Sequence, residues 1–290
     1  MTRTCFASVI FPANQAYYND FIESLNAQSN ANFDLILFND GITDIENLIQ
    51  GMPFQKGLLK IIPVEGSPAE IRSMVLNHLA ASTYTNCVFG DSDDYFSSNR
   101  VEESVKNLDN GSDVVFCDLD IVNEKGGVLN SNYYSNRLKN GFEPDLNFML
   151  NKNVCGLGNT SIKINALPTN LNFPVSIMAV DWLLYTRMML DGKRITFTNQ
   201  SSISYRQHEE NSIGIGALTK DRVRKGIQVK MAHYKTLSTE NDVLADLYLA
   251  IQKIFVFLED QEAFDRYYKN LKQDPIRFPF WWEEIILTSA

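Results

Sequence analysis

Cysteine is scarce in this chain of 290 residues, and the four cysteines that are present lie far apart. They show neither the Cys-x-x-Cys spacing of a zinc site nor the density of a disulfide-rich secreted scaffold. We therefore expect reduced thiols and a cytoplasmic protein, located either in the bulk cytoplasm or at the inner face of the membrane.

Long apolar runs are also missing. No stretch approaches the roughly 18 consecutive apolar residues that a membrane-spanning helix requires. The apolar run over residues 5–11 is short and ends at Pro12 without a cleavage site, so we expect no signal peptide.

Basic residues are outnumbered, because 26 Lys and Arg face 35 Asp and Glu, which gives a formal net charge of −9. This balance excludes bulk nucleic-acid binding, which needs a basic surface to displace phosphate counterions. The acidic excess lies within residues 1–216. Carboxylates in that region suit metal binding better than phosphate binding by side chains alone.

The chain does have enough apolar side chains for a sizeable core, since 44% of its residues are hydrophobic and 11% are aromatic. Short β-rich apolar segments alternate with helical patterns along its first half. The expected strands cover residues 4–11, 33–38, 58–64, 87–89 and 113–119. This alternation predicts an α/β fold with a mostly parallel sheet that has helices on both faces.

The expected helices are indicated by apolar spacing and by capping residues. Residues 18–25 place apolar side chains on one helical face. Residues 67–70 carry a capping-box signature, and they precede a second helix. Its expected apolar face comprises Ile71, Met74, Val75 and Leu79. A third helix is predicted over residues 180–188, with Gly192 as its stop signal.

Less regular segments complete the prediction. Residues 126–153 are polar and poorly periodic, which indicates a long excursion over the surface. Residues 194–198 and 202–205 are expected to form two short strands. Helical patterns over residues 223–237, 243–258 and 264–271 predict a C-terminal helical subdomain. We therefore divide the chain into residues 1–215 and 216–290.

Polar clusters follow three of the expected strands, at residues 12–14, 39–40 and 91–94. In open parallel sheets, ligands bind outside the carboxyl ends of the strands. We therefore expect these clusters to meet in one crevice. The cluster at residues 91–94 packs three carboxylates into four residues, and a divalent cation would relieve their repulsion. The alternative is a solvated acidic turn that caps the helix beginning near Asn99.

Two further segments carry candidate residues. His208 lies in a polar loop after a strand, where a neutral imidazole would suit a metal, whereas His78 and His233 lie within helical patterns and are interpreted as structural. Its neighbour Arg206 would pair either with a phosphate or with a structural carboxylate. Asp181 opens a helix behind an apolar segment, which suits either a helix-capping carboxylate or a general base shielded from water.

Taken in order, these segments resemble the inverting family 2 glycosyltransferases, enzymes of the GT-A fold. The resemblance covers roughly residues 4–215. The matching segments are SVIFPANQAYYNDFIESLNAQSNANFDLILFNDGITD, GSPAEIRSMVLNHLAAS, GDSDDYF, DVVFCDLDIVNEKGG, NVCGLGNTSIKINAL, VDWLLYTRMMLDGKRITF and YRQHEEN. The segment GDSDDYF is similar to the DXD-type motif of that family.

The resemblance implies a role for each candidate residue. Pro12 to Asn14 would lie along the base and ribose, Asp40 would bind the base, Arg72 would approach the nucleotide and Asp91 the ribose. Asp93 and His208 would hold Mn²⁺ or Mg²⁺, and Asp181 would be the general base. The implied partners are a nucleotide-sugar donor, preferably a UDP-sugar, and a saccharide or lipid-linked saccharide acceptor, with bacterial surface polysaccharide or glycoconjugate as the product. The chain departs from the family pattern at Val180, where an acidic residue often precedes the base.

Two other functions remain open on the sequence. A sugar-phosphate nucleotidyltransferase would also use paired carboxylates and a metal, but it normally has a glycine-rich basic loop after the first strand, and PANQAYY lacks one. A catalytically degenerate binding or assembly subunit is the other alternative. Finally, a basic stretch over residues 220–235 and an aromatic cluster at residues 278–282 suit peripheral membrane attachment, a solvated helix face with aromatics packed on the core, or an oligomer interface.

Overall fold

The structure is a computed structural model, and it describes residues 3–51, 53–208 and 218–287. Within these residues the strands are β1 (Thr4–Ile10), β2 (Phe33–Asn39), β3 (Leu59–Pro63), β4 (Asn86–Phe89), β5 (Tyr95–Phe96), β6 (Val114–Asn123), β7 (Val128–Asn130), β8 (Thr160–Lys163) and β9 (Ile195–Gln207). The helices are α1 (Tyr18–Asn26), α2 (Ile45–Gly51), α3 (Pro68–Ala80), α4 (Arg100–Asp109), α5 (Leu146–Asn151), α6 (Val180–Leu190), α7 (Lys220–Leu237), α8 (Asp242–Phe257) and α9 (Gln261–Gln273). Short 3-10 helices cover Pro12–Tyr17 and Ile164–Ala166.

One sheet contains the described strands in the order β3-β2-β1-β4-β8-β6-β9-β5, with β7 paired to β6. The long ladders are parallel, namely β3 with β2, β2 with β1, β1 with β4 and β6 with β9. Strand β8 lies antiparallel between β4 and β6 and joins the two parallel halves. The predicted α/β fold with a mostly parallel sheet is therefore confirmed.

Helices α1 and α3 form for the reasons that the sequence indicates. The buried face of α1 consists of Tyr18, Phe21, Ile22 and Leu25. The capping box of α3 is complete, because the Glu70 amide donates to Ser67 Oγ at 3.4 Å and the Ser67 amide donates to Glu70 Oε2 at 2.8 Å. Met74 is an exception to the predicted apolar face, since it is exposed and Leu76 is buried in its stead.

The predicted surface excursion over residues 126–153 is wrong in part, because buried residues occur from Tyr133 onward. Tyr133, Tyr134 and Met149 are buried, although the segment is polar and poorly periodic. The buried carboxylate of Asp118 accepts hydrogen bonds from the Tyr134 amide at 2.8 Å and the Ser135 amide at 3.3 Å. This polar segment can therefore pass through the interior, because the Asp118 carboxylate accepts the hydrogen bonds of its buried backbone amides.

The two short strands predicted over residues 194–205 form one strand, β9, that is interrupted by a bulge. Cys117 pairs with Thr198, whereas the next residue, Asp118, pairs with Ser202. The intervening residues are polar, and they leave the ladder before it resumes. Helix α2 was not predicted, although Ile45, Leu48 and Ile49 fall at helical spacing. The helix has seven residues, and none of its side chains is fully buried.

The three predicted C-terminal helices are present as α7, α8 and α9. Helix α7 packs against α6, where the His233 ring stacks on Trp182 with centroids 3.8 Å apart and planes 6° apart. The predicted division between residues 215 and 216 lies outside the described residues. Among those residues, no helix combines the length and the apolar character needed to span a lipid bilayer.

Candidate functional site

A cleft of about 480 Å³ opens at the carboxyl ends of β1, β2 and β4. Seven of the eight site residues expected from the sequence line it, namely Asn14, Asp40, Arg72, Asp91, Asp93, Asp181 and His208. Pro12 is the exception: it is exposed where the 3-10 helix begins, and the preceding residue, Phe11, lines the cleft. Segments that are distant in sequence therefore meet at the sheet edge that the strand order indicates.

The acidic turn at residues 91–94 follows β4, and close packing before the turn fixes where it begins. Gly90 comes directly before Asp91, and a Cβ at this glycine would lie 2.4 Å from Phe96 Cζ and 2.5 Å from Phe6 Cζ. A larger residue would force these core rings apart. The aromatic core therefore helps to set the position of the first carboxylate.

The three carboxylates of this turn have different surroundings. Asp91 Oδ1 lies 3.5 Å from Arg72 Nη2, at the edge of the cleft. Burial and the charge of Asp93 raise the pKa of Asp91 above its usual value, although Arg72 lowers it in part. Asp94 points the other way and is buried, and its Oδ1 accepts the Arg206 amide at 2.8 Å. Only two of the three carboxylates line the cleft.

Arg206 is a structural residue, which decides between the two interpretations of its role. Its side chain is buried, and it donates to the Asp93 carbonyl at 2.8 Å, to the Glu124 carbonyl at 2.6 Å and to Asp20 Oδ2 at 2.6 Å. Its guanidinium also lies over the Tyr17 ring, 4.7 Å from the centroid. Arg206 therefore holds the acidic turn against α1 and β9, and it does not line the cleft.

Asp93 and His208 form the pair that suits a divalent cation. Asp93 Oδ2 lies 2.8 Å from His208 Nε2, and both side chains are largely shielded, with 14% and 5% of their side-chain area exposed. Neighbouring ligands of an octahedral ion at about 2.1 Å lie about 3 Å apart, so this spacing fits two ligands of one ion. Within the described residues no cluster of three or more His, Cys, Asp or Glu side chains surrounds a metal position. Such an ion would take its other ligands from substrate phosphate and water, as Mg²⁺ and Mn²⁺ commonly do.

Asp181 lies in the first turn of α6 and faces the same cleft. Its Oδ1 accepts the amide of Trp182 at 2.8 Å, while the N-cap position is occupied by Ala179, which makes no side-chain cap. Burial raises the pKa of Asp181 to about 6, against the lowering effects of the Trp182 amide, Arg72 and the Asn153 side chain, and Asp91 adds to the rise. A carboxyl with this pKa is ionised at neutral pH and is a stronger base than an exposed aspartate.

The segment NVCGLGN, residues 153–159, belongs to the family resemblance, but the sequence analysis assigned no site residue to it, and the structure places it between Asp91 and Asp181. A Cβ at Gly158 would lie 2.4 Å from Asp91 Oδ2, and one at Gly156 would lie 3.6 Å from Asp181 Oδ2. The backbone therefore approaches both carboxylates, and at Gly158 a side chain would displace the carboxylate of Asp91. The pair of glycines in GLGN was the available signal.

The cluster of aromatic residues near the C-terminus also lines the cleft, through Trp281 and Trp282. Phe280 and Trp282 are buried in the protein, which agrees with the alternative that the aromatic cluster packs on the core.

The other two histidines, His78 and His233, keep their structural interpretation. Burial lowers the pKa of His233 to about 3. His78 is exposed, and its ring centroid lies 5.6 Å from that of Phe38.

Comparison with solved structures shows that this chain shares its fold with proteins that were solved in complex with nucleotide-sugars. The S. aureus TarS 1-349 complex with UDP-GlcNAc has a TM-score of 0.61 and 17% identity, covering 88% of this chain and 73% of that chain. The mannosyltransferase PcManGT from Pyrobaculum calidifontis, in complex with GDP-Man and Mn²⁺, has a TM-score of 0.58 and 14% identity, covering 86% and 70%.

A longer S. aureus TarS structure has a TM-score of 0.58 and 17% identity, and the match covers 86% of this chain but 43% of that one. No protein-family model and no curated protein matches the sequence. Identities this low establish the shared fold, and the activity has to be argued from the site itself.

Proposed function

We propose that this protein is a metal-dependent inverting glycosyltransferase of the family 2 type. It would transfer a sugar from a nucleotide-sugar, with UDP as the nucleotide, to a hydroxyl of a saccharide or lipid-linked saccharide. The product would be a bacterial surface polysaccharide or glycoconjugate. The observation that carries the proposal is that Asp181, a shielded carboxyl with a raised pKa, lines the same cleft as the Asp93–His208 pair.

The charged end of the cleft suits the nucleotide diphosphate. Asp40 follows β2 and Asn14 lies in the 3-10 helix after β1, so both lie beside the strand ends where nucleotides bind in such sheets. Arg72 supplies a cation, and Asp91 holds its guanidinium at 3.5 Å. Asn14 Oδ1 is buried and has no hydrogen-bond partner among the described protein atoms, which supports a ligand contact there.

Asp93 and His208 would hold Mn²⁺ or Mg²⁺ beside the diphosphate. The bound cation supplies Lewis acidity, which stabilises negative charge on the departing diphosphate. Two comparison structures support this arrangement in part, since one holds UDP-GlcNAc and another holds GDP-Man with Mn²⁺. Arg72 adds a second positive charge at the same end of the cleft.

Asp181 would take the proton from the acceptor hydroxyl. As that proton leaves, the acceptor oxygen forms a bond to the anomeric carbon, the bond from that carbon to the diphosphate oxygen breaks, and the electron pair departs with the nucleoside diphosphate. Attack in line with the leaving group inverts the configuration. The amide of Trp182 holds the carboxylate in position for this step.

The proposal is tested with a panel of UDP- and GDP-sugars and with Mn²⁺ present. We expect one nucleotide-sugar to raise the melting temperature, because a ligand that binds the native state stabilises it. Asp181→Asn should keep that shift and lose transfer by a factor of about 10² to 10⁴, the usual contribution of a general base. The control is Asp191→Asn at the exposed far end of α6, which should transfer normally. Normal transfer by Asp181→Asn would refute the assignment.

Peripheral membrane association stays a separate prediction, and the structure leaves fewer exposed cations for it than the sequence indicated. Lys230, from the predicted basic stretch, is buried, and burial lowers its pKa to about 7. Arg222 pairs with Glu284 at 2.9 Å. These two cations are therefore engaged inside the protein, and co-sedimentation with anionic liposomes measures what the remaining ones contribute.

A further inference from the structure

The chain over residues 278–287, here called the strap, crosses back from the helical region to the cleft. It is fastened by hydrogen bonds and ion pairs at seven positions along its length. They join Arg137 to the Phe278 carbonyl, Tyr133 to the Pro279 carbonyl, Asn153 to the Trp281 carbonyl, Lys152 to Glu283, Arg222 to Glu284, Lys230 to the Ile285 carbonyl and Tyr267 to the Ile286 carbonyl. A segment held at so many points is a fixed wall of the cleft.

Trp281 brings this wall close to the candidate base. The Asn153 amide donates to the Trp281 carbonyl at 2.9 Å, and the two residues form an isolated antiparallel bridge. Asn153 also lines the cleft near Asp181, and its side chain lowers the pKa of that carboxyl. Asn153 therefore lies between the strap and the carboxylate that would receive the acceptor proton.

The ring of Trp281 belongs to an aromatic group that lines the cleft. It meets the Tyr205 ring with centroids 5.8 Å apart and planes at 88°, and the Tyr134 ring at 6.3 Å and 85°. All three residues line the cleft. Edge-to-face contacts of this kind hold an indole in one orientation.

Trp282 shows that the wall is held in a conformation with an energetic cost. Its φ is +67°, in the left-handed region that a bulky side chain rarely adopts, and only 3% of its surface is exposed. The strap packs tightly on α7, since a Cβ at Gly226 would lie 2.6 Å from Ile285 Cγ1 and 3.4 Å from Trp282 Cε3. A strained backbone conformation of this kind persists only where the surrounding contacts enforce it, and such conformations are concentrated at functional sites.

We propose that the strap forms the acceptor subsite, in which the indole of Trp281 binds an uncharged sugar ring and presents one of its hydroxyls to Asp181. The inference rests on the proposed function and deepens it by naming the acceptor class and the residue that selects it. The apolar C–H face of a pyranose matches the face of an indole, while its hydroxyls need polar partners at the edge. Asn153, Asn159 and Tyr205 line the cleft and supply such partners.

The charges of the residues that line the cleft favour an uncharged sugar ring over an acceptor that carries a phosphate. Among the described residues, Arg72 is the arginine or lysine that lines the cleft, and it belongs to the donor end. The cations nearest the strap are engaged, because Arg137 and Lys152 both pair with Glu283. Among the described residues, the wall near Asp181 therefore consists of aromatic and amide side chains, which do not compensate an anion.

Tryptophan fluorescence tests the subsite directly, because the chain contains three tryptophans and Trp182 is fully buried against His233. The probes are methyl β-D-glucopyranoside, methyl β-D-galactopyranoside and methyl N-acetyl-β-D-glucosaminide, titrated in the presence of UDP and Mn²⁺. We expect at least one probe to change the emission saturably, and glycerol phosphate to cause no such change. Isothermal titration calorimetry, which does not depend on the indole, then measures the affinity of that probe. Trp281→Ala should bind it about tenfold or more weakly, and Trp281→Phe should recover part of the affinity.

Controls separate this inference from the proposed function. Phe257→Ala truncates an exposed aromatic residue on α8 and should bind the probe like the parent protein. The thermal shift caused by UDP and Mn²⁺ reports the donor end alone. If that shift is present and no methyl glycoside changes the fluorescence, or if Trp281→Ala binds the probe as tightly as the parent protein by calorimetry, the acceptor subsite is refuted while the donor site stands. If UDP and Mn²⁺ do not raise the melting temperature, the proposed function itself is refuted.

Discussion

At the scale of single residues, the protonation state of Asp181 controls the proposed reaction. Burial raises its pKa to about 6, so the carboxyl is protonated in mildly acidic solution and ionised at neutral pH. We expect the rate of transfer at saturating substrate to rise with pH and to level off above about pH 6 to 7. The measurement is a pH profile of kcat with Mn²⁺ fixed. A profile that is flat from pH 5 to 8 would exclude Asp181 as the base.

The same shift predicts how stability depends on pH. Between about pH 4 and 6 the folded protein holds a proton on Asp181 that the unfolded chain releases, so this carboxyl makes the protein less stable as pH rises. Asp181→Asn removes that cost while keeping an acceptor for the Trp182 amide. We expect the variant to be about 1–3 kcal/mol more stable at pH 8 and equal to the parent at pH 4. Urea unfolding at the two pH values measures the difference.

Gly158 offers a second test at the residue scale. A methyl group there would lie 2.4 Å from Asp91 Oδ2, so Gly158→Ala must displace the carboxylate that holds Arg72. We expect about tenfold weaker nucleotide binding, measured by calorimetry, and a stability loss of about 1–3 kcal/mol from the overpacking. Gly51→Ala is the control, since a Cβ at Gly51 meets nothing within 4 Å. Equal nucleotide affinity in Gly158→Ala would show that Asp91 does not contact the nucleotide.

The sequence was informative about site residues that follow expected strands and less informative about those that lie on irregular chain. Asp40, Asp91 and Asp93 directly follow expected strands, so their residue type and their position both predict a place in the crevice. Asn153 and Trp281 carry no charge and lie on irregular chain, and they approach Asp181 through tertiary contacts that no local pattern encodes. Contacts between segments that are distant in sequence could therefore not be predicted from this one sequence.

At the scale of elements, Glu283 is the main anchor of the strap. Burial raises its pKa, but hydrogen bonds from Arg137, Lys152 and the Phe280 amide outweigh that effect and bring the pKa down to about 2. Its ionised form therefore stabilises the fold above about pH 4.5, and that stabilisation is lost as pH falls toward 2. We expect Glu283→Gln to cost about 2–3 kcal/mol at pH 7 and almost nothing near pH 2.

The control for Glu283→Gln is Glu143→Gln, which breaks the exposed pair between Glu143 and Arg194. Exposed ion pairs contribute less than about 1 kcal/mol, so this variant should unfold near the parent midpoint. Chemical denaturation at pH 7 compares the two. Equal losses from both variants would mean that the strap is not anchored through Glu283.

The elements that were predicted correctly have one strong periodic or capping signal each. Helix α1 has four buried apolar residues at helical spacing, and α3 has the complete capping box. The bulge in β9 was missed, because its cause is the register with β6, a neighbour more than 70 residues away in the chain. The antiparallel direction of β8 likewise depends on its neighbours β4 and β6.

At the scale of the whole molecule, the helical region and the sheet should unfold together. The His233 ring stacks on Trp182 at 3.8 Å, and Tyr234 donates to the Leu150 carbonyl at 2.7 Å, so α7 is built into the core around α6. We expect a single calorimetric transition whose midpoint matches those from circular dichroism and fluorescence. Two separated transitions would show that the helical region is an independent folding unit.

The position of the strap also has a consequence for biosynthesis. A ribosome makes the acidic turn and Asp181 well before it makes Trp281, so the wall beside Asp181 is the last part of the cleft to be synthesised. A polypeptide truncated after α9 would keep α7 stacked against α6 but would lack Trp281. Under the proposed function, such a product would leave Asp181 open to water and would favour hydrolysis of the sugar donor over its productive use.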